Sequence, residues 1–139
     1  MCRFRADHPN ISEVFYTGLP THPKHNLAKK TQHGFGGIIS CRVKGDAKAV
    51  DHILRSTKLF SLAESLGGFE SLIEHPATMS HFSMGEELRA KAGITDDIIR
   101  ISVGIEHIND LISDLEQALN FKSVESTFRK IEKKEPVFA

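Results

Sequence analysis

The chain has no net charge: its 18 lysines and arginines are matched by 18 aspartates and glutamates over 139 residues. That balance removes the electrostatic footprint expected of a nucleic-acid or anionic-membrane binder. No stretch approaches the roughly 18 consecutive apolar residues that cross a bilayer. The opening MCRFRADHPN has no apolar core and does not read as a secretory signal. Cysteine is scarce, with Cys2 and Cys41 too few and too scattered for a disulfide framework. A reducing, cytoplasmic setting is therefore expected. Repeats and low-complexity tracts are also missing. The one glycine-rich run, GFGG at 34–37, precedes a strand-like segment, so it is a poor phosphate cradle.

What remains is enough for one domain, with 40% hydrophobic residues to build a core. Histidine is plentiful, at eight. His22 and His25 form H-x-x-H, and His33 lies eight residues further on. A structural zinc site wants four ligands in paired spacing, and no cysteine pair accompanies these histidines. No metal site is expected.

Periodicity and turn signals predict strands at 11–20, 37–45, 58–65, 69–76 and 98–106, and helices at 21–33, 46–57, 85–93 and 107–120. Thr21 is a candidate N-cap for the first helix and Asp46 for the second. Ala47, Val50, Ile53 and Leu54 mark one face of the second helix, and Gly93 the stop of the third. Ile108, Leu111, Ile112, Leu115 and Leu119 form the clearest helical stripe. Val124, Phe128 and Ile131 extend that pattern weakly into a charged tail. The fold expected is α+β: a mixed or antiparallel sheet of about four to five strands with helices packed on one face. The SLGG joint between the strands at 58–65 and 69–76 is too short for a parallel crossover, which argues against an all-parallel sheet.

The most informative residue is Arg100, in IIRISVGIE at 98–106. Alternation puts Ile99, Ile101, Val103 and Ile105 on one face, aliphatic throughout. Arg100, Ser102 and Gly104 fall on the other. A solvated, idle arginine is common on a wet sheet face. Here its neighbours are small and leave room for a ligand, and a guanidinium grips a carboxylate through a rigid fork. The loop LAESLGGFES at 62–71 adds glycines whose backbone could approach an anion closely. Taken alone, that loop reads equally as a plain Gly-Gly turn.

The blocks YTGLPTHPKH, GFGGIIS, KLFSLAESLGGFESLIEHPATMSH and GITDDIIRISVGIEHINDLISDLEQAL, in this order, resemble the C-terminal domain of the cystathionine γ-synthase and γ-lyase family. These are pyridoxal-phosphate enzymes of cysteine and methionine metabolism. The resemblance covers about residues 8–120, with 1–7 as a leader outside the pattern and 121–139 as a tail. KLFSLAESLGGFESL is most similar to the eukaryotic γ-lyase branch. The resemblance implies a small domain of the fold-type I pyridoxal-phosphate architecture. It implies that Arg100 grips the α-carboxylate of an amino-acid substrate such as cystathionine, that Ser65 assists, and that Glu64 lies near the distal part of the substrate. Ser80 stands where the family commonly has threonine in MTH, and keeps the hydroxyl. A homotetramer is implied for the full-length family.

The resemblance also implies what this chain does not carry. The family's Schiff-base lysine sits in a Ser-x-Thr-Lys context within a large N-terminal domain, and no lysine here has that context. No catalytic or cofactor-binding residue is therefore assigned. MCRFRA does not resemble the family's linker, so a truncated product, an alternative start or an incomplete gene model is expected. Two functional classes follow: the substrate-binding part of a carbon–sulfur lyase, or a non-catalytic module that binds a carboxylate or docks onto an oligomer.

Overall fold

The computed structural model describes residues 8–120. The strands are β1 (Ile11–Phe15), β2 (Ile38–Val43), β3 (Ser61–Leu62), β4 (Leu72–Glu74) and β5 (Ile98–Ser102). The helices are α1 (His25–Thr31), α2 (Ala47–Ser56), α3 (Glu86–Lys91) and α4 (Ile108–Leu119), with one 3₁₀ turn at Phe82–Met84. The five strands form a single sheet in the order β1-β2-β5-β4-β3. Three of the four pairings are antiparallel, and β3 runs parallel to β4. The α+β class with a mixed sheet is the one the sequence pattern predicts. The charged tail lies outside the described residues.

One face of the sheet makes the core. Ile39, Cys41 and Val43 of β2, Ile73 of β4, and Ile99 and Ile101 of β5 are buried there. They pack against Val50, Ile53 and Leu54 of α2 and Leu111, Leu115, Ala118 and Leu119 of α4. Asp46 caps α2 by accepting from the N–H groups of Lys48 and Ala49. The Ala47 side of α2 is exposed and Ala49 takes its place in the core. On α4 the buried stripe is Leu111, Asp114, Leu115, Ala118 and Leu119, and Ile108 points outward. The heptad-like spacing gave the right side of the helix but missed the buried carboxylate on it.

Several elements are shorter than the pattern suggests, each for a hydrogen-bonding reason. α1 starts at His25, because residues 19–25 form successive turns in which His22 and His25 donate to the carbonyls of Leu19 and His22. Thr21 is not its cap. β3 cannot begin at Lys58, because the N–H groups of Lys58, Leu59 and Phe60 donate to the buried Asp114 carboxylate at 2.8–3.3 Å. β4 starts at Leu72 because the Ser71 N–H donates to Glu106 instead. β5 ends at Ser102, where the chain turns to run against residues 69–71. Ile105 is 83% exposed, so it does not continue the aliphatic face.

The β3–β4 pairing corrects the crossover argument. The two strands are parallel although only residues 63–71 join them. With β3 reduced to two residues, that loop needs to span little more than one strand rise, and no helix is required.

Residues 63–71 are held down at several points. Gly67 donates to Ser102 Oγ at 2.9 Å, Ile105 donates to the Phe69 carbonyl at 2.8 Å, and Gly104 donates to Ser71 Oγ at 2.9 Å. Glu106 accepts from the Ser71 N–H and from its hydroxyl, each at 2.8 Å. The bond from the Ser71 N–H holds the Glu106 carboxyl below the usual carboxylate range. Gly104 is a close-approach position: a Cβ there would overlap the Phe69 carbonyl oxygen and come within 2.6 Å of Glu106 Oε2.

Three outcomes follow from these anchors. Asp114→Ala strands three backbone donors and should lower the unfolding free energy in urea by about 3 kcal/mol. Gly104→Ala should cost about 1–3 kcal/mol by overpacking, with the loss concentrated in the amide exchange protection of residues 67–71. Because the Glu106 carboxyl is depressed in the folded chain, its contribution is complete above the unfolded value and is lost as pH falls through the folded one. The Ser71 amide resonance should therefore stay constant at neutral pH and move only once the pH falls below the ordinary glutamate range. Glu106→Gln should abolish that movement, and a Ser71 shift between pH 6 and 8 would contradict the assignment.

Candidate functional site

The second sheet face holds the site. Arg100 at the middle of β5 lies between Ser40 of β2 and Glu74 of β4 in register. The Arg100 side chain is 16% exposed and the Glu74 side chain 1%. Nε of Arg100 forms an ion pair with Glu74 Oε1 at 3.0 Å. Nη2 donates to the carbonyls of Glu64 at 2.8 Å and Ser65 at 3.4 Å. Nη1 donates to no protein group among the described residues, so one end of the guanidinium is left for a ligand.

The arginine is thus neither idle nor surrounded by empty space. Ser102, expected to leave a gap, is buried under the loop and accepts from Gly67. Gly67 itself has φ of +74°, a left-handed conformation that favours glycine, and this turn brings the loop backbone over β5. The N–H groups of Ser65, Leu66 and Gly68, and the side chains of Glu64 and Ser65, have no protein partner among the described residues. The unfilled guanidinium end suits an anion, and a carboxylate fits it best.

The four residues singled out from the sequence come together, but in two layers. Arg100, Glu64 and Ser65 meet directly. Ser80 reaches the group through Glu74: its hydroxyl donates to Glu74 Oε1 at 2.8 Å and lies 2.8 Å from His81 Nδ1. Glu74 is the residue that sequence reasoning missed. Its signal was present in SLIEHP, where one carboxylate follows two apolar residues in a strand, as the mirror of the lone arginine in IIRIS.

A second arginine on this face shows the contrast. Arg42 donates from Nε to Glu13 at 3.1 Å and from Nη1 to Asp97 at 3.0 Å, and its guanidinium sits 5.5 Å from the centre of the Phe15 ring. Its carboxylate partners come from its own chain, so it braces β1, β2 and the 93–97 turn.

The H-x-x-H histidines serve local structure. His22 Nδ1 accepts from the Lys24 N–H, and His25 stacks on Phe35 with Nδ1 2.8 Å from the Thr17 carbonyl. No group of three or more His, Cys, Asp or Glu side chains that could hold a metal is found among the described residues. Lysines 24, 29, 30, 44, 48, 58 and 91 are all exposed. A Schiff-base lysine is commonly activated by apolar burial, and none of these has it. The described residues therefore do not fit a pyridoxal-phosphate attachment site, although they do fit a carboxylate. No helix among them is long and apolar enough to cross a membrane.

Comparison with known proteins shows the family of the chain. The family model for Cys/Met metabolism PLP-dependent enzymes matches residues 1–120. Cystathionine γ-lyase of Dictyostelium discoideum is 51% identical over 120 residues, and cystathionine β-lyase of Coxiella burnetii is 55% identical over 119. Each alignment covers 86% of this chain and 31% of the relative. Cystathionine γ-synthase of Mycobacterium tuberculosis is 50% identical over 120 residues, covering 86% of this chain and 30% of the relative. A crystal structure of cystathionine γ-synthase from Xanthomonas oryzae, in complex with aminoacrylate and cysteine, superposes with a TM-score of 0.82 at 45% identity. That superposition covers 85% of this chain and 30% of the synthase chain. The chain thus spans about a third of the length of these relatives. It belongs to the family of Cys/Met metabolism PLP-dependent enzymes.

Proposed function

We propose that this chain provides the substrate-carboxylate clamp of a cystathionine γ-lyase-like enzyme. The observation that carries the proposal is Arg100, paired on one side with Glu74, held by the Glu64 carbonyl at Nη2 and open at Nη1. In this reading Arg100 binds the α-carboxylate of an amino acid. Ser65 and its neighbouring amides close on the same group, and Glu64 faces the distal part of the substrate and biases the reaction that follows. Ser80 acts at one remove, by holding Glu74.

The reaction proposed for the complete enzyme converts cystathionine and water into cysteine, 2-oxobutanoate and ammonia, a transsulfuration step in cysteine formation. Pyridoxal phosphate, when bound, supplies the electron sink for breaking the carbon–sulfur bond. A longer protein or a partner chain holds that cofactor and its lysine, so this chain alone has no turnover. The relatives at about 50% identity include a lyase acting at the γ-carbon, one acting at the β-carbon, and a synthase. KLFSLAESLGGFESL supports the γ-lyase assignment among them. The Xanthomonas synthase has also been captured with cystathionine, which supports an amino-acid substrate of that size here. A cytoplasmic homotetramer is the proposed form of the complete enzyme.

A second reading has its own observation. Leu62, Leu66, Phe69 and Phe82 are each more than half exposed. Exposed apolar residues in such number favour a docking role. On this reading the chain joins an oligomer of a full-length relative. An earlier elution of the mixture on size exclusion supports docking, and unchanged elution excludes it.

The proposal of an inactive clamp is tested by incubating the chain with pyridoxal phosphate, removing the excess and reducing with borohydride. Peptide mapping should find only sparse label spread over exposed lysines and no retained yellow band. One lysine labelled to completion would overturn it.

A further inference from the structure

We propose that Glu74 is a positioning residue of the carboxylate clamp, holding Arg100 at the angle that presents Nη1 to the ligand; this rests on the carboxylate-binding reading given above. Glu74 is almost wholly buried, yet only one of its oxygens has partners. Oε1 is ion-paired with Arg100 Nε at 3.0 Å and accepts from Ser80 Oγ, and Oε2 has no partner.

A buried ion pair kept for stability alone is expected to satisfy its remaining lone pairs, and replacing such pairs with apolar residues is often neutral or better. The guanidinium contact here is single-pointed rather than the bidentate fork that maximises attraction. Glu74 takes the Nε side, the loop carbonyls of Glu64 and Ser65 take Nη2, and Nη1 is left unused. A forked ion pair through both terminal nitrogens would consume the donors that a substrate carboxylate needs. Ser80 completes the arrangement by fixing Oε1 from the other side, and the Ser80 hydroxyl is oriented in turn by His81. The chain His81–Ser80–Glu74–Arg100 thus sets one oxygen in place, and that oxygen sets the guanidinium.

Charge and position make opposite demands, which renders the proposal testable. The negative charge of Glu74 opposes an incoming carboxylate, so a charge role predicts that neutralising it strengthens binding. A positioning role predicts that reach matters and charge does not. Glu74→Gln preserves reach and removes charge. Glu74→Asp preserves charge and withdraws the oxygen by about 1.5 Å.

The experiment is a titration of the full 139-residue chain with L-cysteine, followed by ¹⁵N NMR at the Arg100 Nε–H and the backbone amides of residues 64–68. Cysteamine, which lacks the carboxylate, is the control. The wild-type chain should respond to cysteine and not to cysteamine. Absence of any response in the wild type would defeat the carboxylate reading and this proposal with it. Given a wild-type response, Glu74→Gln should bind within about threefold of wild type and Glu74→Asp about tenfold more weakly. If Glu74→Asp binds as wild type, or if Glu74→Gln binds more tightly, the positioning role is wrong and the carboxylate reading stands. Should Glu74→Asp fail to fold, Ser80→Ala decides: weaker cysteine binding with an ordered amide spectrum supports the proposal, and wild-type affinity overturns it.

Discussion

Everything at the candidate site depends on the contact between Arg100 and Glu74 across β5 and β4. Two opposite charges lie side by side on a sheet face, one of them almost entirely withdrawn from water. Neither would be tolerable there alone, because a lone buried charge costs several kcal/mol even after relaxation. Together they are held in one geometry, and the loop carbonyls of Glu64 and Ser65 complete it. The result is a guanidinium that is fixed before any ligand arrives. A fixed donor loses little conformational freedom on binding, which is the physical advantage of preorganisation.

Anchors elsewhere among the described residues place the loop at 63–71 over that guanidinium. Asp114 on α4 gathers the N–H groups of residues 58–60 and so ends the approach to β3 at a defined point. Glu106 gathers Ser71 and defines where β4 begins. Gly104 allows the two backbones to cross closely. The core face of the sheet, aliphatic and covered by α2 and α4, carries the stability, and the opposite face is left for polar chemistry. On the proposed reading the described residues supply the part that recognises an amino acid, and none of their lysines is buried as a Schiff-base lysine commonly is.

The sequence made the class of fold and the position of the arginine legible because both rest on simple periodicities. Alternation in IIRIS put Arg100 opposite the core, and a 3.6-residue repeat located α2 and α4. Element ends were less legible, because side chains from far along the chain set them. Nothing near Lys58 says that Asp114 will take its N–H, and nothing near Ser71 says the same of Glu106. Ile105 read as a core residue because alternation continues on paper past the point where the chain leaves the sheet. Glu74 was missed for a related reason. Its importance lies in the register that sets it opposite Arg100, and register between strands separated by a helix and a turn is not written in either strand.

The most direct test is a double-mutant cycle on the pair itself. Unfolding in urea would be measured for the wild-type chain, Glu74→Ala, Arg100→Ala and the double variant. A guanidinium oriented by Glu74 predicts a favourable coupling of about 1–3 kcal/mol between the two sites. Additive losses, with coupling near zero, would mean that Arg100 keeps its place without Glu74 and that the central contact of this account does not act as described.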